Sequence, residues 1–387
     1  MLETSGYHGK PIVAHFHNSF FQGSETFIYQ YISHLRRFKP VCIAQEFVNL
    51  DQFPFPDDDL YPIVTKRHSL EWFHRGVNRR LLNRDPLLTR QLEGVGCSLL
   101  HAHFGTYGSR AVASKKKLNL PLVTSFYGLD ASDKAHLKQY RRRYKLLFKE
   151  GDLFLAEGPC MRNRLIELGC PPEKVQIQRI AIPVRSIEFN ERQPKIKGEK
   201  VVLMFAGRFV EKKGLIPLVH AIKKASLVSG EFELRLVGDG PMNHEVRSLV
   251  NDLGLSDKVT FLGFLQHLEY LEEMRNADFF VHPSVIAENG DSEGGAPTVI
   301  LEAQASGLPI ISTFHADIPN IVVPGESAIL CPERDIEALC ESILHLVEAQ
   351  EEWAGMGLVG RRFVEAKHDI EREVDSLEDK YCQLIGS

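Results

Sequence analysis

Short apolar, strand-like runs alternate with segments of helical periodicity along nearly the whole chain, and few folds accommodate that pattern. In the first half PIVAHF, PVCIA, SLLHAH, PLVTSF, DLFLA and KVQIQRI are separated by stretches such as SETFIYQYISHL. This alternation predicts parallel βαβ units. A polar, lysine-rich stretch with one proline, NERQPKIKGEK over 190–200, then breaks the series and reads as an interdomain linker. After it VVLMFAG, FELRLVG, KVTFLG, DFFVHPS and LPIIST alternate with GLIPLVHAIKKASL, a helix from about Met242, another around Tyr270, and PTVILEAQAS, before a helical tail from about Arg334.

The expected fold class is α/β, with two facing Rossmann-like domains and a cleft between them. The boundaries read as 1–190, 191–365 and a C-terminal helix over 366–387 that packs back on the first domain. A length of 387 residues suits two domains. Hydrophobic residues at 43% and charged residues at 25% are those of a chain with a sizeable core, which excludes disorder.

Seven scattered cysteines without a CxxC pair argue against a disulfide framework or a zinc site. Without a leader or a long apolar run the expectation is a cytoplasmic protein. Residues 1–190 hold 27 Lys and Arg against 18 Asp and Glu, a balance of +9; residues 191–387 hold 19 against 33, or −14. Such asymmetry implies different partners for the two halves.

The chemistry concentrates after the strands. In EGGAPTVILEAQASG (293–307) a loop feeds a helix that starts near Pro297, a favoured first helical residue. Gly295, Ala296, Pro297 and Thr298 sit at this helix start, whose unpaired backbone N–H groups and positive dipole end suit a diphosphate. Glu302, inside that helix, would accept from ribose hydroxyls, and Glu293 from hydroxyls of a sugar. In FAGRFVEKKGL (205–215) Gly207 is followed by Arg208 and Lys213, a planar fork and a compact charge suited to phosphate. The VGDGP turn lets Gly238 and Gly240 bring backbone close to a nucleotide, and Phe264 and Leu265 follow KVTFLG.

In the first half HNSFFQGSETFI places His17 before Gly23 and Ser24, with Ser24 reading as the cap of the next helix. HAHFG puts His101 and His103 on one strand face. Carboxylate partners at ligand spacing are absent, so no metal site is expected there. TSFYGLD presents Tyr127 and Asp130, the aspartate reading as a cap of the helix that follows. Residues 134–149 carry Leu137, Tyr140, Tyr144, Leu147 and Phe148 at helical spacing with basic residues between them. That segment suits an anionic membrane surface as a docking partner, and it suits equally a core-facing stripe with a solvated basic face. No recognised nucleic-acid-binding module accompanies the charge.

These motifs resemble the retaining glycosyltransferases of family 4, in particular those of exopolysaccharide and colanic acid synthesis. The paired glutamates correspond to the family's E-x7-E element, here E-x8-E with an extra residue at Gly294–Gly295. GRFVEKKG corresponds to G-R-x-x-x-x-K-G, and TSFYGLD to F-H-G-x-D with Tyr127 in place of the histidine. The resemblance implies the GT-B fold, with Arg208, Lys213 and Glu293 as the catalytic set. It implies Gly23, Gly207, Gly238, Gly240, Phe264, Leu265, Gly295, Ala296, Pro297, Thr298 and Glu302 around the donor, and His17, Ser24, His103, Tyr127 and Asp130 around the acceptor. A UDP- or GDP-linked sugar would be the co-substrate, a glycan or lipid-linked glycan the acceptor, and neither cofactor nor metal would be needed. Two rival readings stay open: a nucleotide-sugar-binding protein that has lost catalysis, and a phosphorylase or sugar-phosphate synthase of the same fold.

Overall fold

A computed structural model describes residues 7, 9–23, 25–63, 85–196, 198–229, 232–295 and 297–386. Ser24 and Ala296, both expected at binding loops, lie outside the described residues. The chain divides into two compact units, Met1–Ala181 with Ile370–Ser387, and Ile182–Asp369.

In the first unit β1 (Ile12–Phe16), β3 (Lys39–Ala44), β5 (Leu60–Pro62), β6 (Leu99–His103), β7 (Leu122–Phe126), β8 (Leu153–Ala156) and β9 (Val175–Ile177) form one sheet in the order β5-β3-β1-β6-β7-β8-β9. All its pairings are parallel. Two short strands, β2 (Ser19–Phe20) and β4 (Glu46–Phe47), pair beside it. Alternate side chains enter two cores. Ala14, Phe16, Leu100, Ala102 and Phe126 pack on one face, and Val13, Leu99 and Val123 on the other with Tyr381 of the C-terminal helix.

In the second unit β10 (Val201–Ala206), β11 (Phe232–Val237), β12 (Val259–Gly263), β13 (Phe279–His282), β14 (Ile310–Thr313) and β15 (Ala328–Cys331) run in the order β12-β11-β10-β13-β14-β15, again all parallel. The order reverses direction from β10, the topological switch point at which doubly wound sheets bind ligands. Helices Leu215–Val228 and Ile336–Glu348 supply the core with Leu218, Ile222, Ile343 and Leu346.

Three sequence expectations shift. The stretch 190–200 belongs to the second unit: Arg192 is buried and donates to the carbonyls of Met274, Arg275 and Ser306. A polar composition hid that contact, because an arginine that donates to three carbonyls looks like a linker residue in sequence. The chain leaves the first unit at Ala181 and re-enters it at Ile370, against the expected 190 and 366. In helix Lys134–Glu150, Tyr140, Tyr144, Leu147 and Phe148 are buried in the core, so the apolar stripe is not available to a membrane.

Helix Ile370–Ile385 is held on the first unit by charge as well as apolar packing. The wholly buried Glu378 carboxylate accepts the N–H groups of Arg36 at 2.7 Å and Arg37 at 2.6 Å, and the Arg37 Nε at 3.1 Å. Arg36 also reaches Glu371 and Asp375 on the same helix. Replacing Glu378 by leucine strands those donors, and the first unit should lose about 3 kcal/mol, read as a lowered denaturant midpoint.

Candidate functional site

In the second unit the residues of interest leave the sheet at the C-terminal ends of its strands. β10 ends in Gly207, whose φ of +153° turns the chain so that Phe209 buries its ring while Arg208 remains exposed. The Phe209 N–H donates to the Asp239 carbonyl and the Met242 N–H to that of Phe209, which ties this loop to the turn after β11. The approach is close: a Cβ at Gly238 would lie 2.0 Å from the Gly207 carbonyl oxygen. Arg208 has no ion pair or hydrogen bond from its guanidinium among the described residues.

A single turn, Glu211–Lys213, ends at Gly214, where φ is +69° and a Cβ would meet the Pro283 carbonyl at 1.8 Å. This turn aims two lysines at the loop before helix Thr298–Ala305. Lys212 Nζ lies 3.1 Å from Asp291 Oδ1 and 3.0 Å from the Ser292 carbonyl. Lys213 Nζ lies 2.7 Å from Glu293 Oε1, and the Ser284 hydroxyl donates to that same oxygen at 3.1 Å. His282 Nε2 stands 3.6 Å away. Burial by itself would raise the Glu293 carboxyl, but the Lys213 ammonium and the His282 hydrogen bond outweigh it and hold the group well below the usual carboxylate range. Burial and the adjacent Lys213 push His282 down to about 4, so it is neutral.

The loop is anchored from a second side. The Glu293 N–H donates to His315 Nε2 at 3.0 Å, and His315 Nδ1 faces Glu333 Oε1 at 2.7 Å, which fixes the imidazole with its proton on Nδ1. The extra residue of E-x8-E is thus absorbed without releasing Glu293. Helix Thr298–Ala305 begins one residue later than expected, with Pro297 at the N-cap and no side-chain cap. Half-buried Glu302 accepts the Tyr270 hydroxyl at 2.9 Å. Burial pushes its carboxyl up to about 7, against the pull of that hydrogen bond. Phe264 is 74% exposed, with Leu265 half-buried beside it.

The first unit presents a different surface. Gly23 is exposed in the turn before helix Thr26–Ser33, and the N-cap of that helix is Glu25, with no side-chain capping bond, in place of the expected Ser24. Burial pushes the Glu25 carboxyl up to about 7. His17 is buried and lowered to about 4, mainly by burial; its Nδ1 donates to the Ser19 carbonyl at 2.6 Å and lies 3.8 Å from Glu25. Phe104, at a φ of +69°, sets its ring between His17 and Tyr127. Asp130 does not cap the helix after it in the expected way. It accepts the Gly105 N–H at 2.7 Å, the first residue of helix Gly105–Leu118, and the Tyr127 N–H at 3.1 Å. Asp130 therefore positions backbone.

His15, His101 and His103 each bring a ring nitrogen within 4.8 Å of the others, a spacing that can hold a metal ion. Among the described residues five of their six ring nitrogens are engaged, all but His15 Nε2. His15 Nδ1 meets His103 Nε2 at 3.0 Å, His103 Nδ1 meets the Tyr127 hydroxyl at 2.8 Å, and His101 contacts the Tyr381 hydroxyl and Ser125 Oγ. Sequence reasoning reached His17, His103 and Tyr127 but missed Ser284, His282, His315 and Tyr270. The HPS triplet after β13 was the local signal for two of these, and only the fold brings His315 and Tyr270 to the site.

A family model described as "Glycosyl transferases group 1" matches residues 200–349, and one described as "Glycosyltransferase Family 4" matches residues 21–179. The chain is 32% identical to the putative colanic acid biosynthesis glycosyltransferase WcaL of Escherichia coli K12, over 70% of this chain and 67% of that protein. It is 34% identical to the protein of the same description from Salmonella typhimurium, over 62% of this chain and 58% of that one. Among solved structures, Anabaena Alr3699/HepE in complex with UDP-glucose superposes with a TM-score of 0.79 at 16% identity, covering 97% of this chain and 100% of that one. This last likeness shows the GT-B fold.

Glu302 gives this site a measurable signature. A carboxyl raised by burial in the folded protein contributes stability that is intact below its unfolded value and is lost as pH rises through about 7. The melting temperature of Glu302→Gln relative to the parent should therefore climb between pH 4.5 and 8, in a pH series without ligand. A flat difference would mean that Glu302 is ionised at little cost.

Proposed function

The chain belongs to the group 1, family 4 glycosyltransferases, and from that premise we propose that it moves a sugar from a nucleotide-sugar to a glycan or lipid-linked glycan acceptor in polysaccharide or glycoconjugate synthesis, with retention of anomeric configuration. The observation that carries this reading is the Lys213–Glu293 pair, in the same loop as an exposed Arg208 that has no ion pair among the described residues. Among the described residues every hydrogen bond and ion pair of the Glu293 carboxylate falls on Oε1, which leaves Oε2 for a sugar hydroxyl. Lys213, held at that spot, and Arg208 supply positive charge to phosphate oxygens as the sugar–phosphate bond breaks. Because these side chains meet that charge, we propose a metal-independent reaction. The acceptor oxygen bonds to the anomeric carbon on the face that the phosphate leaves, and its proton passes to a leaving phosphate oxygen, so no enzymic nucleophile is required.

Glu302, steadied by Tyr270, suits ribose hydroxyls, and exposed Phe264 suits the face of a base. A UDP- or GDP-linked sugar is the donor class proposed. UDP-glucose sits in the Anabaena structure.

For the acceptor side we propose contact with an anionic membrane surface through helix Lys134–Glu150. Lys134, Lys138, Arg141, Arg142, Lys145 and Lys149 are exposed there and carry no ion pair among the described residues. Lys115, Lys116 and Lys117, by contrast, are each paired with a carboxylate. With the aromatic face in the core, such binding would be electrostatic and salt-sensitive. No helix among the described residues is long and apolar enough to cross a membrane.

Arg208→Ala should lower transfer by roughly 10²–10³-fold with little change in melting temperature, whereas Lys213→Ala should lower both, because it leaves the buried Glu293 carboxylate without its ammonium. One of UDP, GDP or ADP should stabilise the protein equally with and without EDTA; stabilisation by none of them would overturn the donor site. Sedimentation with vesicles containing phosphatidylglycerol should pull down the parent at low salt but not Lys138→Glu/Arg142→Glu/Lys145→Glu, and equal binding of both would refute the docking helix.

A further inference from the structure

Tyr127 occupies the position at which the sequence departs from the family pattern, and a neutral phenol there is useful only if the direction of its hydrogen bond is set. Its oxygen lies at the end of a buried chain. His15 is wholly buried, and its Nε2 has no partner among the described residues. Orphaned buried N–H groups are rarer than bare acceptors, so the His15 proton belongs on Nδ1. From there each step follows. His15 Nδ1–H donates to His103 Nε2 at 3.0 Å, which requires the His103 proton to sit on Nδ1. His103 Nδ1–H then donates to the Tyr127 oxygen at 2.8 Å.

A second chain starts on the C-terminal helix. Tyr381 is wholly buried, and among the described residues its hydroxyl bonds only to His101 Nδ1, at 2.5 Å. A phenol with one neighbour, an imidazole nitrogen, donates to it. His101 therefore carries its proton on Nε2 and donates to Ser125 Oγ at 2.8 Å. This second chain ends on Ser125, which leaves the His15–His103 chain as the one that sets the Tyr127 oxygen. Burial keeps all three imidazoles neutral, so no extra proton disturbs either chain.

We propose that the His15–His103 chain donates to the Tyr127 oxygen and so directs the phenol's own proton away from the histidines, making Tyr127 a hydrogen-bond donor to a substrate oxygen, with His15 and His103 as positioning residues. The inference rests on the glycosyltransferase reading for the identity of that oxygen, a sugar hydroxyl, but not for the direction of the chains. It also accounts for a tyrosine at this position, because a phenol held in this way donates as a neutral imidazole N–H would.

The direction can be read without any ligand. Long-range ¹H–¹⁵N spectra of the full chain labelled with ¹⁵N-histidine, assigned with His15→Gln and His103→Asn, should show protonated Nδ1 in His15 and His103 and protonated Nε2 in His101. A protonated Nε2 in His15 or His103 overturns the proposal. The consequence is read as release of nucleoside diphosphate from UDP-glucose or GDP-mannose, whichever stabilises the parent. Tyr127→Phe and His103→Leu should each lower kcat about tenfold without changing affinity for the nucleoside diphosphate. His103→Asn, whose amide can still donate to Tyr127, should keep most of the rate, and His103→Leu should cost nothing further in the Tyr127→Phe background. Unchanged turnover in Tyr127→Phe would overturn the donor role even with the expected histidine protons, whereas failure of every nucleotide-sugar would refute the glycosyltransferase reading and leave the spectra to judge the chains.

Discussion

Lys213 and Glu293 lie 2.7 Å apart, and neither could be withdrawn from water alone. The turn after β10 and the loop before helix Thr298–Ala305 are consequently bound to one another. The constraint extends to the backbone that carries these side chains. Gly214 must be glycine, since the turn that aims Lys213 passes against the Pro283 carbonyl. Ser284 and His282, at the end of β13, complete the surroundings of the carboxylate oxygen, and His315, after β14, holds the loop by its backbone. A single buried charge thus requires contributions from several strand ends.

The first unit solves a related problem with opposite chemistry. The same edge of a parallel sheet collects His15, His101 and His103, but burial leaves them neutral and they hydrogen-bond with each other, with Ser125 and with two tyrosines. A neutral network of this kind fixes directions without adding charge. The second unit gathers Lys212 and Lys213 at its strand ends, and the first offers neutral donors and the raised carboxyls of Glu25 and Asp130. That division fits a donor side and an acceptor side.

Much of this was legible in the sequence. Strand-helix alternation is a local property, and both sheets appear with the strands that it predicts. Arg208, Lys213, Glu293 and Glu302 were proposed by the same local logic, from side chains suited to phosphate and sugars that stand near the ends of strands. The boundaries were less legible, because Arg192 is buried by carbonyls distant in the chain. The aromatic stripe of Lys134–Glu150 left two readings that only packing could separate.

By itself, then, the sequence determined the α/β class, the parallel strands and the residue types at their ends, since these follow from periodicity and short-range chemistry. Tertiary structure decided that Lys213 shares an oxygen with Ser284, that His315 anchors an enlarged loop, that helix Ile370–Ile385 returns to the first unit, and that Tyr127 ends a chain of histidines. Each of these joins residues far apart in sequence, and a parallel sheet makes such neighbours by aligning the ends of strands that only long crossovers connect.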